Sequence, residues 1–558
     1  MTETLLLLLL VVLTAVAHLS GHDAAPVVAA PAGTFRGTTE WSPHGQPFTA
    51  FLGIPYAQPP VGQLRFSKPE PFPRIQGVYD ATKRGPLCIQ PQDIDLGYPS
   101  GEDCLYLNVY VPYQKDVSTQ SSKKVLFYIH GGGGFMGSAN EHIPGELVTT
   151  KDIIVVTLNY RLAWLGFLKG EDPLLPGNQG LWDQLMALRW VKDNVRAFGG
   201  DPDDVTVGGQ SFGSVCVSAL SITRQAKGLF TKGVLISGSG VSPFFTHNDS
   251  HTLLNYLSNK LGCQHANLTA TVQCLRSLPA ESFVIPIVSK FTGLFISEDG
   301  ELLTSSIPAL AEDARYLKEV GFHSRDYLVS LTNMEGPILL QGVFALGFDI
   351  QALTPQNLTS LTQWPVPVSE KVITWYRDLR SNTFLPAFNI AGDLVFAMPT
   401  FNFLKMFSSG NSGFPDRERE SYFMLLEHMP TYIPQPFVGF YHALDLSYVF
   451  DLDPSDILKI YYRLDAARGY TEEEMEMRRV YQSIVVDFMT TGNPGLGLNR
   501  NMTAAWRPFD PDKEHFLSLT HRPSVQQFPL EDRRAFWTKT FPEAVEALRV
   551  QDLLKDEL

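Results

Sequence analysis

The sequence contains no basic run. Its 44 Lys and Arg are outnumbered by 58 Asp and Glu, giving a formal net charge of −14 and a pI near 5.4. The field of such a chain repels polyanions, which excludes nucleic acid as a partner. No Cys/His cluster has metal-ligand spacing, so no metal or cofactor is expected. After the first 17 residues no stretch reads as long and apolar enough to cross a bilayer, so the chain is not expected to span a membrane. Internal repeats, low-complexity linkers and clean domain boundaries are also missing. What is there, at 44% hydrophobic and 18% charged, is ordinary globular material with ample core.

Both ends carry address signals. Leu5–Leu13 is a run of nine apolar residues, followed by Thr14-Ala15-Val16-Ala17. It is too short for a membrane span and reads as a secretory signal peptide over residues 1–17, with Ala15-Val16-Ala17 as the cleavage site. The chain ends Lys555-Asp556-Glu557-Leu558, the tetrapeptide of endoplasmic-reticulum retention, whose receptor is then an expected partner. Residence in the lumen of the endoplasmic reticulum follows as an expectation. Four sequons fit it: Asn248, Asn267, Asn357 and Asn501. In an oxidising lumen the close cysteines Cys88–Cys104 and Cys263–Cys274 are the economical disulfides, leaving Cys216 as a free, apolar-packed thiol.

Between the ends, residues 22–545 read as one α/β domain. Its entry, to about residue 115, is loop-rich and antiparallel, with strands at Phe48–Ala57 and Leu105–Val111. Then come runs apolar on both faces: Val125–Ile129, Ile153–Leu158, Gly233–Ile236, Tyr327–Leu331 and Tyr422–Leu426. Such strands are covered by helices on both sides of a mostly parallel sheet. Leu185, Leu188, Val191 and Val195 recur at helical spacing within Leu181–Phe198. Helical, Pro-punctuated segments around 250–320 and 340–420 are expected over the carboxyl edge of the sheet.

The stretch that organises the chain is Asp203–Arg224. Val205-Thr206-Val207 is β-branched, Gly208 and Gly209 are expected to end that strand, and small apolar residues suited to a buried helix follow Ser211. Gly209-Gln210-Ser211-Phe212-Gly213 is Gly-x-Ser-x-Gly, a sharp turn that exposes the serine hydroxyl at a helix N-terminus. A serine nucleophile needs a base, an orienting acid and oxyanion donors. His130-Gly131-Gly132-Gly133-Gly134-Phe135 follows a buried strand and offers backbone N–H groups. The N–H of Phe212 should add another. No Gly-Lys-Ser/Thr follows those glycines, which disfavours a phosphate cradle. The base should come late, after a strand: His428, His442, His515 and His521 qualify, with His428 and His442 equal on position. For the acid, Asp326 stands at the wrong end of its strand, whereas Glu335 follows it.

Across nearly all of the mature sequence the chain resembles the type-B carboxylesterase and cholinesterase family. The resemblance is carried by Phe51–Ala57, Glu102–Val109, His130–Gly133, Asn159–Leu162, Gly177–Gln184, Phe198–Pro202, Thr206–Gly213, Ser237–Ser239 and Gly492–Pro494. It implies an α/β-hydrolase fold with large insertions over the site, and a Ser-His-Glu triad of Ser211, His442 and Glu335. It further implies oxyanion donors at Gly132, Gly133 and Phe212, support of the acid by Ser237, and both disulfides. The implied activity is hydrolysis of small to medium apolar esters through an acyl-enzyme. Lipase, cholesteryl-ester and juvenile-hormone-type ester hydrolysis are the enzymatic alternatives. A non-catalytic cholinesterase-like binding protein is the alternative outside enzymes. The family pattern is broken in four places. Phe212 stands where Ala is usual, which should crowd the acyl side or reposition the loop. Gln210 replaces the commoner Glu, as in juvenile-hormone esterases. Gly134 replaces an aromatic and should widen the pocket. No Trp lies between Cys88 and Cys104, which removes the quaternary-ammonium platform and argues against choline esters.

Overall fold

The computed structural model describes residues 25–547 apart from 92–96, 114–121, 171–172, 243–244, 248–249, 286–295, 340–353, 363, 380–384, 410–418, 435–438, 467, 499–501 and 503. The expected signal peptide, the terminal tetrapeptide, Asn248 and Asn501 lie outside the described residues.

An eleven-stranded sheet forms the centre. In chain order its strands are β1 (Thr38–Trp41), β2 (Pro47–Pro55), β3 (Tyr106–Pro112), β4 (Lys123–Ile129), β5 (Ile154–Leu158), β6 (Gly200–Gln210), β7 (Lys232–Ile236), β8 (Asp326–Thr332), β9 (Ser421–Leu426), β10 (His515–Leu519) and β11 (Ser524–Gln527). They lie in the order β11-β10-β9-β8-β7-β6-β4-β5-β3-β2-β1. Every pairing from β10 across to β5 is parallel, and the strands outside that block pair antiparallel. This is the mostly parallel α/β sheet expected, with the antiparallel entry at one edge.

The apolar runs explain themselves once both faces are followed. On β4, Val125, Phe127 and Ile129 enter one core while Leu126 and Tyr128 enter the other. On β8, Tyr327, Val329 and Leu331 face the first core and Leu328 the second. A strand buried on both sides is apolar at successive positions rather than at alternate ones.

One element departs from expectation. Gly208 and Gly209 do not end β6. The strand runs through to Gln210, with Gly209 opposite Leu235 of β7 and Ile129 of β4. Ladder bonds to neighbours on both sides outweigh the poor strand propensity of glycine. The reason for a glycine here is packing: a Cβ on Gly209 would stand 2.4 Å from the carbonyl carbon of Gly213, and one on Gly213 would stand 2.1 Å from the carbonyl oxygen of Ile129.

Helix α1 (Gln179–Asn194) continues into a 3-10 turn, Val195–Phe198, capped by Gly199 at φ 88°, matching the helix expected there. Helix α2 (Phe212–Ser221) is buried at every residue. A long helical stretch, Pro386–Ser408, meets the length and hydropathy of a membrane span (mean hydropathy 1.2), which corrects the expectation that no such stretch follows the leader. With 72% of that window buried inside the molecule, it packs as a core helix. Asp393 and the prolines Pro386 and Pro399 hid its apolar length. That carboxylate is buried and bound by Arg533, Tyr376 and, at 3.4 Å, Trp537.

Both expected disulfides are formed, and Cys216 is a buried free thiol that accepts from Gln184 Nε2 at 3.3 Å. Burial pushes its thiol up to about 12, which leaves it inert. Asn267 is exposed and caps a helix through its side chain, and Asn357 is half-buried.

Two segments of the resemblance meet in a buried ion pair. Arg161 Nε and Nη2 donate to Asp183 at 2.8 and 2.7 Å, and the Arg161 N–H donates to the same carboxylate at 3.0 Å. Removing one partner leaves an uncompensated buried charge. Asp183→Ala is therefore expected to lower stability by about 3–5 kcal/mol, read from the guanidinium midpoint. Glu319→Ala, which removes the exposed partner of Arg224, is expected to leave that midpoint unmoved.

Candidate active site

Ser211 sits between β6 and α2 with φ 56° and ψ −123°, outside the comfortable region for an L-residue. Such a conformation costs on the order of 1–3 kcal/mol and persists only where the surroundings enforce it. Its N–H donates to the Ile236 carbonyl at 2.8 Å, and its own carbonyl accepts the first helical bond from Val215 at 3.0 Å. Its side chain does not cap the helix. Among the described residues the Ser211 hydroxyl makes no hydrogen bond at all, so the turn holds it uncommitted.

Glu335 follows β8, as expected, and is 5% exposed. Its Oε1 accepts from Ser237 Oγ at 2.7 Å and from the Thr332 N–H at 2.6 Å. Its Oε2 lies 2.6 Å from His442 Nδ1. A Cβ on Gly336 would meet the Phe388 carbonyl oxygen at 1.8 Å, so the long apolar helix rests directly on the turn that carries Glu335. The loops that carry Glu335 and His442 are stitched together: Met334 bridges Tyr441, and the Phe440 N–H donates to Asn333 Oδ1 at 2.7 Å. His442 is 2% exposed, its carbonyl accepts from Tyr462 at 2.6 Å, and the Phe396 ring packs 4.4 Å from its imidazole.

The fold therefore brings Ser237, Glu335, His442 and the Ser211 elbow together. It takes the other candidates elsewhere. Asp326, at the far end of β8, binds Arg419 at 3.0 Å and the Glu420 N–H at 2.9 Å. His515 lies 3.2 Å from Gln527. His428 and His521 gather with Glu473, their ligand-type atoms within 4.8 Å of one another. The members of that grouping are too far apart in sequence for spacing to show it.

The glycine loop lies against the elbow, since a Cβ on Gly131 would stand 3.1 Å from the Cβ of Ser211. Gly132 and Gly133 adopt φ 94° and 63°. Among the described residues their N–H groups have no backbone acceptor. Gly134 at φ 75° stands beside Phe135, whose ring folds back against Gly133. An aromatic thus returns one position after the one the family leaves for it. The Phe212 ring is fully buried in an aromatic file. Centroids step 5.4 Å from Phe167 to Phe212, 5.9 Å to Phe245, 6.4 Å to Phe396 and 4.4 Å to His442. Its bulk goes into that wall.

One contact escaped the sequence reading. Gln210 Nε2 lies 3.1 Å from His442 Nε2. The signal available was the departure from Glu at this position, which by itself says nothing about a partner 232 residues away.

A serine held at positive φ with its hydroxyl uncommitted, at the end of a central parallel strand, is the architecture of an α/β-hydrolase. The comparison with known families makes this specific: the chain belongs to the carboxylesterase family, whose model matches residues 24–537. It is similar to carboxylesterase 3 of Pongo abelii, 32% identical over 89% of this chain and 87% of the relative. Acetylcholinesterase of Bungarus fasciatus is 30% identical over 97% of this chain and 90% of its own length. Pyrethroid hydrolase Ces2a of Mus musculus is 29% identical over 95% and 94%.

Burial keeps the flank of the glycine loop uncharged. It pulls His130 down to about 3 and His142 down to about 4, and pushes Glu141 up to about 7. Glu141 Oε2 is buried with no partner among the described residues. Its folded value lies above the ordinary 4.5, so the fold favours the neutral acid. That contribution is complete below pH 4.5 and is lost as pH rises through about 7. Glu141→Gln is thus expected to match wild type in thermal unfolding at pH 4.5 and exceed it at pH 8. A difference that stays constant with pH would contradict this.

Proposed function

We propose that the chain is a serine carboxylic-ester hydrolase that acts through Ser211, His442 and Glu335 on small to medium apolar esters in the lumen of the endoplasmic reticulum. The observation that carries the reading is the buried Glu335–His442 pair beside an uncommitted serine at a strained elbow. Membership of the carboxylesterase family supports the reaction class. The luminal site is supported by the leader-like Leu5–Ala17, the terminal Lys555–Leu558 tetrapeptide and the two disulfides. The exposed sequon asparagine Asn267 is compatible with a glycan.

In this scheme His442 Nε2 takes the proton of Ser211 Oγ while Oγ attacks the ester carbonyl carbon. The N–H groups of Gly132, Gly133 and Phe212 hold the oxyanion. Collapse breaks the carbon–alkoxy bond, and the alcohol leaves with the proton from His442. Water then gives its proton to His442 and attacks the acyl carbonyl, and Ser211 departs with that proton as the acid is released. Glu335 keeps the imidazole oriented and stabilises its cation. The aromatic file packed beside His442 supports an apolar acyl or alcohol group, because that wall of the site is built of rings and carries no charge. No metal or cofactor enters the scheme.

Hydrolysis of p-nitrophenyl esters from acetate to palmitate, by protein ending before Lys555, is expected to peak at short to medium chains. The Ser211→Ala variant is expected to lose at least about 10³-fold in kcat. A maximum at palmitate would instead favour a lipase, and equal inertness of both proteins would favour a binding role. The same truncation is expected to send the protein into the medium of expressing cells, while the full chain stays inside.

A further inference from the structure

The acyl-transfer scheme leaves one contact of the site unused. Gln210 and His442, each 2% exposed, meet at 3.1 Å between Gln210 Nε2 and His442 Nε2. The other side of the ring settles the tautomer. Glu335 already accepts from Ser237 and Thr332, so it acts as an acceptor toward His442 Nδ1 at 2.6 Å as well. Nδ1 then carries the proton and Nε2 presents its lone pair. The amide of Gln210 therefore donates to the very lone pair that has to receive the proton of Ser211. The carboxamide has a built seat: its Oε1 lies 2.8 Å from where a Cβ on Gly131 would stand, so only a bare Cα leaves room for it.

We infer that Gln210 caps the general base of the free enzyme, and that a seated substrate must draw the carboxamide off His442 Nε2 before Ser211 can deliver its proton. This rests on the esterase reading above and adds a gate to it. The Glu commoner at this position in the family cannot form the cap, because a carboxylate has no N–H to donate. The cap exists only on the neutral ring, since a protonated Nε2 is itself a donor facing an N–H. Losing the cap therefore makes the imidazole easier to protonate. It also removes a bond that acylation has to break.

The groups that face the imidazole from each packed element are few. Glu335 stands at Nδ1, and the Tyr462 hydroxyl binds the His442 carbonyl. Asp445 on the following turn has its carboxyl pushed far above the usual carboxylate range, by burial and then by Glu335. Among the described residues, the long apolar helix presents the Phe396 ring, which carries no charge.

The test compares full-length wild type with Gln210→Met, which keeps the length but cannot donate, and with Gln210→Ala. Two readouts are taken: the pH titration of the low-field His442 Nδ1–H proton by NMR, and the pH profile of kcat/KM for p-nitrophenyl acetate. Both variants are expected to titrate at higher pH than wild type. Above the acid limb, kcat/KM is expected to rise about fivefold, the worth of one neutral hydrogen bond. Titration at the wild-type pH would overturn the cap. Titration at lower pH would also overturn it, by showing that Gln210 accepts from the imidazolium through Oε1. If wild type hydrolyses no ester, the esterase reading fails, while the NMR titration still decides the cap.

Discussion

The site depends on one hydrogen bond, from His442 Nδ1 to Glu335 Oε2, joining residues 107 apart in the chain. Burying a carboxylate is costly unless its lone pairs are occupied. Here Ser237, Thr332 and His442 occupy them. The same bond orients the imidazole and selects its tautomer, so Nε2 faces the elbow side with a lone pair. Without it the ring has no fixed direction, and the neighbouring Gln210 has nothing to donate to. Both loops are anchored behind the pair by the Met334–Tyr441 bridge and the Asn333–Phe440 bond, so the geometry is inherited from the sheet.

Strain and packing are the complement of that bond. Ser211 is held at φ 56° because β6 is laddered on both sides up to Gly209 and to β7 through Gln210, and α2 is buried at every residue. The glycines flanking it leave the space that lets Gly213 press against Ile129. On the other side the long apolar helix bears on Gly336 through Phe388 and on His442 through Phe396. That helix is fixed in turn by the buried Asp393 and its Arg533 and Tyr376 partners. An apolar helix of membrane-like length thus serves as the wall of a site.

What the sequence shows and hides divides along physical lines. The elbow was legible because its demands are local: two glycines, a serine and a buried helix within a few residues. The parallel sheet was legible because strands buried on both faces are apolar at most positions. The places of Glu335 after β8 and of Asp326 at the start of that strand were legible from the apolar run between them. His442 against His428 was open on residues alone, because pairing with Glu335 is a contact across the fold, and only the family resemblance separated them. The passage of β6 through Gly208 and Gly209 was misjudged, since propensity is local and the ladder that overrides it is not. The membrane-length helix was missed because Asp393 and the prolines broke its pattern. The Gln210–His442 contact and the His428–Glu473–His521 grouping are purely tertiary, and no spacing reveals them.

The central claim is that Ser211 is the nucleophile of this fold. Peptide mapping by mass spectrometry, after reaction with a p-nitrophenyl alkylphosphonate, tests it most directly. The account predicts a single phosphonyl adduct per chain, on Ser211, and none on the Ser211→Ala variant. An adduct on another residue, or an unlabelled Ser211 in folded protein, would contradict it.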